Sequence, residues 1–229
     1  MEDSVNKPAS KRAGLTRTRV LRAAIRIADR NGIESLSMRK LAQALGVEAM
    51  SLYNHVANKE DVFDAMVEIV AAKISLPTKG EHWKSAMRHR AISAHEVLLS
   101  HPWGAMLFVS RINVGPVMLR YVDTTIGSLY AAGFSYAAAD RAWNAIDNHI
   151  YGFTLQALNF PFQPSEYGEV AEEFLPQIPE DQYPHINALS RLVISGEHDG
   201  MQDFCFGLDL ILDGLERLHE HNLGKVKTL

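Results

Sequence analysis

The sequence predicts an all-α protein, and three observations support this prediction. Apolar residues recur at helical spacing along most of the 229 residues. N-capping residues and glycine or proline stop signals bound these segments. Alternating apolar runs and hairpin turns, which would predict strands, are scarce. We expect a three-helix N-terminal unit followed by a larger helical domain.

The first helix is expected to begin after Thr16, a plausible N-cap, and to end at the Asn31-Gly32 stop signal. Ser37 can cap a second, short helix, Met38–Leu45, which Gly46 ends. A third helix is expected from about Glu48 to His55. Asn58 then caps a longer fourth helix, with the acidic Asp61 in its first turn, and the region ends at Pro77.

Further helices are predicted near 81–100, 104–112, 115–132, 135–160, 182–195 and 200–221. The segment 161–184 holds five prolines and many acidic residues, so we expect a long irregular connection with a short helix around 169–174. The predicted organisation is a disordered basic arm at 1–14, a DNA-binding domain at 15–74, and a ligand-binding and dimerisation domain at 75–229.

Charge is distributed unevenly along the chain. Residues 1–59 contain 11 Lys and Arg against 5 Asp and Glu, whereas the remainder contains 12 against 22. A basic N-terminal part on an acidic body indicates a polyanionic partner. Cys205 is the only cysteine, so a disulfide framework and a thiolate-rich metal site are excluded. We see no membrane-spanning run and no signal peptide, and we expect a cytoplasmic protein.

The segment 38–57 has the pattern of a helix-turn-helix. Gly46 allows the chain to reverse, and five aliphatic residues are predicted to face inward: Leu41, Leu45, Val47, Leu52 and Val56. The remaining side chains of the third helix face outward, where they could read DNA. Asn54 can pair bidentately with adenine, Ser51 can donate or accept, and Met50 and Ala49 can contact a thymine methyl. Tyr53, His55, Lys59 and Arg39 suit phosphate contacts.

The segment "GIESLSMRKLAQALGVEAMSLYNHVANKEDVFDAM" resembles the N-terminal domain of the TetR (tetracycline repressor) family of transcriptional regulators. Three later segments, "HPWGAML", "AAGFSYAAADRAWNAI" and "FGLDLILDGLERL", are similar to the branch that contains the tetracycline repressor itself. The resemblance implies a homodimer in which each subunit carries a DNA-reading head on a ligand-binding body. It also implies release of a double-stranded DNA operator when a small-molecule inducer, of unknown identity, binds the body.

Several positions depart from that branch. Gln156 stands where tetracycline repressors carry a metal-coordinating glutamate, and Arg111 where they carry the metal-ligating histidine. Arg90 and Ala94 replace an asparagine and a phenylalanine that hold the drug. Because a guanidinium is a poor neighbour for Mg²⁺ and an amide is a weaker ligand than a carboxylate, we reject metal–tetracycline as the inducer.

The inducer site is expected inside the body, with aromatic and methionine walls and a few polar groups. For any single aromatic residue here, ordinary core is favoured over ligand contact. If both arginines face the cavity, an anionic or carbonyl-bearing ligand follows. The candidates are Arg90, Ala94, Trp103, Phe108, Arg111, Met118, Trp143, Asp147 and Gln156. Helices near 135–160 and 200–221 are apolar on more than one face, so each is either a central core helix or part of the dimer interface, and we favour the interface. On the second of them, one stripe is predicted to contain Phe204, Leu208, Ile211, Leu215 and Leu218.

Two other readings stay open: a regulator of the same fold that acts as an activator or under a protein partner, and an all-α enzyme. No nucleophile elbow, phosphate loop or paired-carboxylate signature favours an enzyme. The ten histidines lack the spacing of a metal-binding helix. We therefore predict no catalytic residue, no metal, no cofactor and no membrane partner.

Overall fold

The computed structural model describes residues 14–199 and 203–226. Within these residues the chain forms eleven α-helices and no strand, which confirms the predicted all-α class. The predicted basic arm at 1–14 lies almost wholly outside the described residues. No helix in the described ranges is long and apolar enough to cross a lipid bilayer.

Four helices form the N-terminal head, and the predicted caps are present. The side chains of Thr16, Ser37 and Asn58 accept hydrogen bonds from the backbone N–H three residues ahead, which satisfies one otherwise unpaired donor at each helix start. Gly46 ends the second helix in the left-handed conformation at φ 68°, which glycine adopts without strain. The helices are α1 (Arg17–Asn31), α2 (Met38–Leu45), α3 (Ala49–Leu52) and α4 (Lys59–Ala71).

The third helix is shorter than the predicted Glu48 to His55. After Leu52 the chain tightens into turns, in which Tyr53 N–H donates to Met50 O and His55 N–H donates to Leu52 O. These i→i+3 bonds are typical of a 3₁₀ ending. Val56 N–H also donates to Leu52 O at 3.0 Å, so the turns stay attached to the helix and extend the same surface.

Seven helices form the body, and most start or end within two residues of the predicted positions. They are α5 (Trp83–Ser100), α6 (Gly104–Ser110), α7 (Pro116–Ala131), α8 (Tyr136–Asn159), α9 (Tyr167–Phe174), α10 (Pro184–Ser195) and α11 (Phe204–Val226). The connection 161–184 is more regular than expected, because 3₁₀ turns at Pro164–Glu166 and Leu175–Gln177 flank α9. Within the described residues α9 packs chiefly on α10.

The core runs through both parts of the molecule without a break. In the head, Val20, Leu41 and Leu52 are fully buried. Helix α4 continues this core into the body, where it contacts α6 and α7. In the body, α5 packs on α8, and Met87 of α5 and Ile146 of α8 are fully buried. Head and body therefore share α4.

The apolar faces of α11 differ from the predicted arrangement. We expected Leu218 on the same stripe as Phe204 and Leu208. Instead, Phe204, Leu208 and Leu212 face inward, and a second row remains exposed: Phe206 at 65%, Leu210 at 56% and Leu218 at 62%. The inward row follows i, i+4, i+8 spacing, and the outward row occupies another side of the helix.

Candidate DNA-binding surface and candidate ligand site

Helix α3 is held by its aliphatic side, so its polar side is free. Leu52 and Val56 are buried at 0% and 2% exposure. Met50 is 76% exposed, Tyr53 is 46% exposed, and Asn54 is also exposed. The exposed side chains are thus the amide of Asn54, the phenol of Tyr53 and the thioether of Met50, all three of which were predicted to face DNA.

Four of the other five predicted DNA contacts are half-buried. Ala49, Ser51 and His55 are half-buried at the edge of α3, whereas Arg39 at the start of α2 is exposed. Lys59 is half-buried, and its ammonium lies 4.9 Å from the centroid of the Phe63 ring, a cation–π contact. All eight side chains therefore lie on or beside α2, α3 and the start of α4.

An ion pair that we did not predict from the sequence fixes this surface in place. Arg17 Nη2 lies 2.6 Å from Asp61 Oδ1, and Arg17 Nη1 donates to Asp61 Oδ2 and to His55 O, both at 2.9 Å. Asp61 also accepts from Ala57 N–H at 2.8 Å. The hydrogen bond from Arg17 lowers the pKa of Asp61 from its ordinary value of 3.8 to about 2, against the opposing effect of burial. Because 44 residues separate the partners, no local pattern could reveal them.

A buried charge cluster lies in the body at the centre of the predicted ligand site. Arg90 of α5 is fully buried, and its Nη1 lies 2.7 Å from Asp147 Oδ1 of α8. The same Nη1 donates to the hydroxyl of Tyr121 on α7. The hydroxyl of Tyr151 donates to Asp147 Oδ2 at 3.2 Å. Burial raises the pKa of both tyrosines, so their hydroxyls stay protonated at neutral pH.

Several polar atoms of this site lack hydrogen-bond partners within the described residues. They are Arg90 Nε and Nη2, Trp143 Nε1 and Asp147 Oδ1. The last of these is close to Arg90 Nη1 without the alignment of a hydrogen bond. Buried polar groups are satisfied in nearly all proteins by protein, water or ligand, so these atoms have hydrogen-bonding capacity that a water molecule or a ligand can meet.

Six of the nine predicted ligand residues lie in this part of the body. Arg90 and Asp147 belong to the cluster, Trp143 lies one turn before Asp147 on α8, and Ala94 is buried one turn further along α5. Phe108 is buried with its ring centroid 6.3 Å from that of Tyr151. Met118 is buried near the start of α7, one turn before Tyr121.

The structure places the other three elsewhere, which corrects the prediction. Arg111 pairs with Glu60 at 2.5 Å and with Asp64 at 2.6 Å, both on α4, because its position at the end of α6 faces that acidic row. Trp103 donates its indole N–H to Asp29 of α1 at 2.7 Å. Gln156 is exposed on α8. Arg90 is thus the only one of the two predicted arginines that lies in the charge cluster.

The described part of the chain shows two clefts, and only the smaller touches this cluster, at Tyr121. The larger, of about 820 Å³, is open to solvent between the loop before α5 and the last turns of α7 and α11. A smaller one, of about 330 Å³, lies between the end of α4 and the start of α7. None of the nine predicted residues lines either cleft.

Several polar contacts join the head to the body, among them the Trp103–Asp29 hydrogen bond given above. Arg111 holds Glu60 and Asp64, as described above. Glu68 of α4 accepts from the N–H groups of Val117 and Met118, at 2.8 and 3.0 Å, at the start of α7. A Cβ at Gly115 would lie 2.3 Å from the Glu68 carboxyl carbon, so glycine permits this cap. His101 Nδ1 also contacts Asp29 at 2.8 Å. Sequence reasoning missed Glu68, although its four-residue spacing from Asp64 was visible.

Metal ligands are not assembled in the described part of the chain. There, no group of three or more His, Cys, Asp or Glu side chains is arranged to hold a metal ion. Cys205 is a half-buried free thiol.

Comparison with known proteins assigns both parts of the molecule. Residues 20–66 match the family described as "Bacterial regulatory proteins, tetR family", and residues 76–219 match "Tetracyclin repressor-like, C-terminal domain". The tetracycline repressor protein class D of Escherichia coli is 32% identical over 209 residues, which cover 89% of this chain and 90% of that protein. An HTH-type transcriptional regulator of Saccharopolyspora erythraea is 37% identical over 139 residues, which cover 60% of this chain and 59% of the regulator.

Solved structures show the same fold. A TetR variant from Acinetobacter baumannii AYE, determined in complex with minocycline, superposes with a TM-score of 0.67 at 27% identity, covering 90% of this chain and 95% of that one. The helix-turn-helix head, the helical body and the matches over both agree with the resemblance seen in the sequence. The chain belongs to the TetR family of bacterial transcriptional regulators, with a body of the tetracycline-repressor type.

Proposed function

We propose that this regulator is a homodimeric repressor that binds a double-stranded DNA operator and releases it when a small molecule enters the body. The observation that carries the proposal is the α3 surface, where Met50, Tyr53 and Asn54 are exposed on a helix anchored by Leu52 and Val56. A short helix with this division can lie in the major groove with its aliphatic side toward its own domain.

Specificity in this proposal comes from α3, and affinity comes from the groups around it. Asn54 and Ser51 read base edges, while Met50 and Ala49 meet thymine methyl groups. Arg39, Tyr53, His55 and Lys59 contact phosphates, which position the head on the duplex without reading sequence. The backbone N–H groups at the start of α4 add a further phosphate site.

The dimer interface is proposed to form between α8 and α11 of two subunits. Phe206, Leu210 and Leu218 expose an apolar row along α11, and covering such a row removes it from water. Helix α8 packs beside α11, so two copies would bring four helices together as a bundle. A two-fold axis through that bundle would present two α3 helices to successive half-sites, about 34 Å apart.

Release of DNA requires a link between the ligand site and the head, and α4 supplies it. Tyr121 joins the Arg90 cluster to α7, and Glu68 of α4 caps the start of α7. Arg111 ties α6 to α4 at two carboxylates. A ligand that displaces α7 would move α4 and thereby change the spacing of the two heads.

Metal–tetracycline is not proposed as the inducer. Minocycline is bound by the Acinetobacter relative. In this chain Arg111 stands in the position of a metal-ligating histidine and is paired with two carboxylates, and Gln156 is exposed and carries no negative charge. These residues offer a divalent ion no carboxylate or imidazole.

Fluorescence anisotropy with DNA from upstream of the chain's own gene tests the proposal. We expect binding by the wild type that weakens steeply as salt rises, because phosphate contacts release counterions. Lys59→Ala should weaken binding. Lys79→Ala, a matched control that removes an exposed lysine near the far end of the body, should not. Binding that ignores salt, or equal loss in both variants, would contradict the assigned DNA surface.

A further inference from the structure

We propose that the inducer carries a carboxylate group, which binds the unpaired edge of Arg90. This inference rests on the function proposed above and names the chemical class of its ligand. It follows from the hydrogen bonds that the buried cluster makes and from those that it leaves unmade.

Only one of the three nitrogens of the Arg90 guanidinium has a hydrogen-bond partner in the described residues. A guanidinium has five N–H donors, and Nη1 serves both Asp147 and Tyr121. Nε and Nη2 are buried without a partner among the described residues. These two nitrogens form one edge of the group and present two parallel N–H bonds, which is the geometry that a carboxylate accepts with both oxygens.

The position of Asp147 favours a second carboxylate over a cation. Asp147 lies on the Nη1 side of the guanidinium, so a ligand on the opposite edge has the positive charge between itself and Asp147. A ligand ammonium at that edge would face three N–H donors of like charge. The unpaired N–H groups of Arg90 therefore require acceptor oxygens from the ligand.

A further unpaired donor lies on the same face of α8. Trp143 Nε1 is buried and has no partner in the described part of the chain. Trp143 and Asp147 are four residues apart, so they are neighbours one turn apart on the helix. Trp143 Nε1 therefore offers the ligand a second N–H donor, on the helix turn before Asp147.

The surroundings indicate the rest of the ligand. Ala94 is buried one turn along α5, and Phe108 and Tyr151 present rings nearby. Small and aromatic neighbours suit an apolar, planar body. The inducer class is therefore an aromatic or similarly flat carboxylic acid.

Binding at this edge also explains how the ligand would act. The Nε–Nη2 edge is closed in the structure, since Arg90 is fully buried and lines neither described cleft; the smaller cleft reaches the cluster only at Tyr121. A ligand must displace α5, α7 and α8 from one another to reach this edge. Helix α7 carries Tyr121 and is capped by Glu68 of α4. A displacement of α7 on ligand binding would therefore be transmitted to α4 and to the head.

Calorimetric titration of the full-length protein with 2-naphthoate and 2-naphthamide tests this inference. The two probes share one shape, but the amide replaces one acceptor oxygen with an N–H₂ donor. We expect 2-naphthoate to bind about ten- to a hundredfold more tightly, since the amide leaves one donor of the fork unpaired. Equal affinities, or no binding by either probe, would overturn the proposal.

Two arginine variants test whether Arg90 is the source of the preference for 2-naphthoate over 2-naphthamide. Arg90→Lys keeps the charge but removes the fork, so the preference for naphthoate should disappear. Arg88→Lys is the matched control, because Arg88 is a half-buried arginine of the same helix that pairs with Asp209; it should retain the preference. Persistence of the full preference in Arg90→Lys would overturn the assignment.

A second variant covers the case in which Arg90→Lys does not fold. Trp143→Phe deletes only the indole N–H, and naphthoate affinity should fall severalfold while naphthamide affinity changes less. An unchanged ratio of the two affinities would count against the proposal. Failure of the proposed function would instead appear as loss of operator binding in the anisotropy assay, which these titrations do not use.

Discussion

The Arg17–Asp61 ion pair gives the most direct test of how the DNA-reading surface is held. We expect Asp61→Asn and Arg17→Gln each to destabilise the head, and the double variant to lose less than the sum of the two. The pair joins the first turn of α1 to the start of α4, and Arg17 also holds the carbonyl oxygen of His55. Its loss should therefore reduce operator affinity as well as stability.

The magnitude follows from the pKa of Asp61. A fall from 3.8 to about 2 corresponds to roughly 2.4 kcal/mol at about 1.4 kcal/mol per unit. The side chains of Arg17 and Asp61 are 47% and 28% exposed, so solvent screening reduces the value that unfolding would show. We expect a coupling free energy of about 1 kcal/mol at neutral pH and low salt.

The same shift fixes the pH dependence. Because the folded-state pKa of Asp61 lies below its unfolded value, the stabilisation is complete above pH 3.8 and is lost as pH falls toward about 2. Asp61→Asn cannot titrate, so its stability deficit relative to the wild type should shrink across that window. The deficit should be constant at higher pH.

Urea unfolding of the wild type, both single variants and the double variant, at pH 7 and pH 3, measures the cycle. Asp123→Asn, which removes an exposed carboxylate from α7, controls for the change in net charge. A coupling free energy of zero at pH 7, or an Asp61→Asn deficit that grows as pH falls, would refute this account of the head.

Three further outcomes are expected. Tyr53→Ala should weaken binding to all DNA sequences alike, whereas Asn54→Ala should cost about 1–3 kcal/mol and relax preference at one base pair; an Asn54 variant that ranks operator variants as the wild type does would contradict base reading. Arg111→Ala should weaken operator binding severalfold with unchanged base preference, since exposed ion pairs contribute at most about 1 kcal/mol each, as anisotropy on a set of operator variants would show. If the chain forms the proposed dimer, Leu210→Glu should convert it to monomer in sedimentation analysis, and a dimer that persists would exclude the α11 row from the interface.

Local patterns were sufficient for most of the fold. The caps at Thr16, Ser37 and Asn58 are short-range hydrogen bonds, so the residue type at each position is enough to predict the cap. Helical periodicity located the inward side chains of the head, because Leu41 and Leu52 have to meet across one tight turn. The third helix was overestimated, since periodicity does not distinguish α-helix from the 3₁₀ turns that follow Leu52.

Long-range pairings could not be predicted in the same way. Arg111 was assigned to the ligand site from its place in an alignment, yet two carboxylates of α4 hold it, 47 and 51 residues away in sequence. Trp103 reaches Asp29 across 74 residues. Arg90 lies in the interior of the body, but only the structure shows that Asp147 and Tyr121 use one of its nitrogens and that the other two have no partner among the described residues.

The acidic row on α4 has a consequence for protein engineering. Glu60, Asp64 and Glu68 recur every four residues and form one stripe, which meets Arg111 and the start of α7. In a chimaera of this head and a foreign body, the three carboxylates would therefore lack the partners that they have in this chain. Such hybrids would recognise the donor's operator but respond poorly to the recipient's effector, unless an arginine and a glycine equivalent to Arg111 and Gly115 are transplanted with the head.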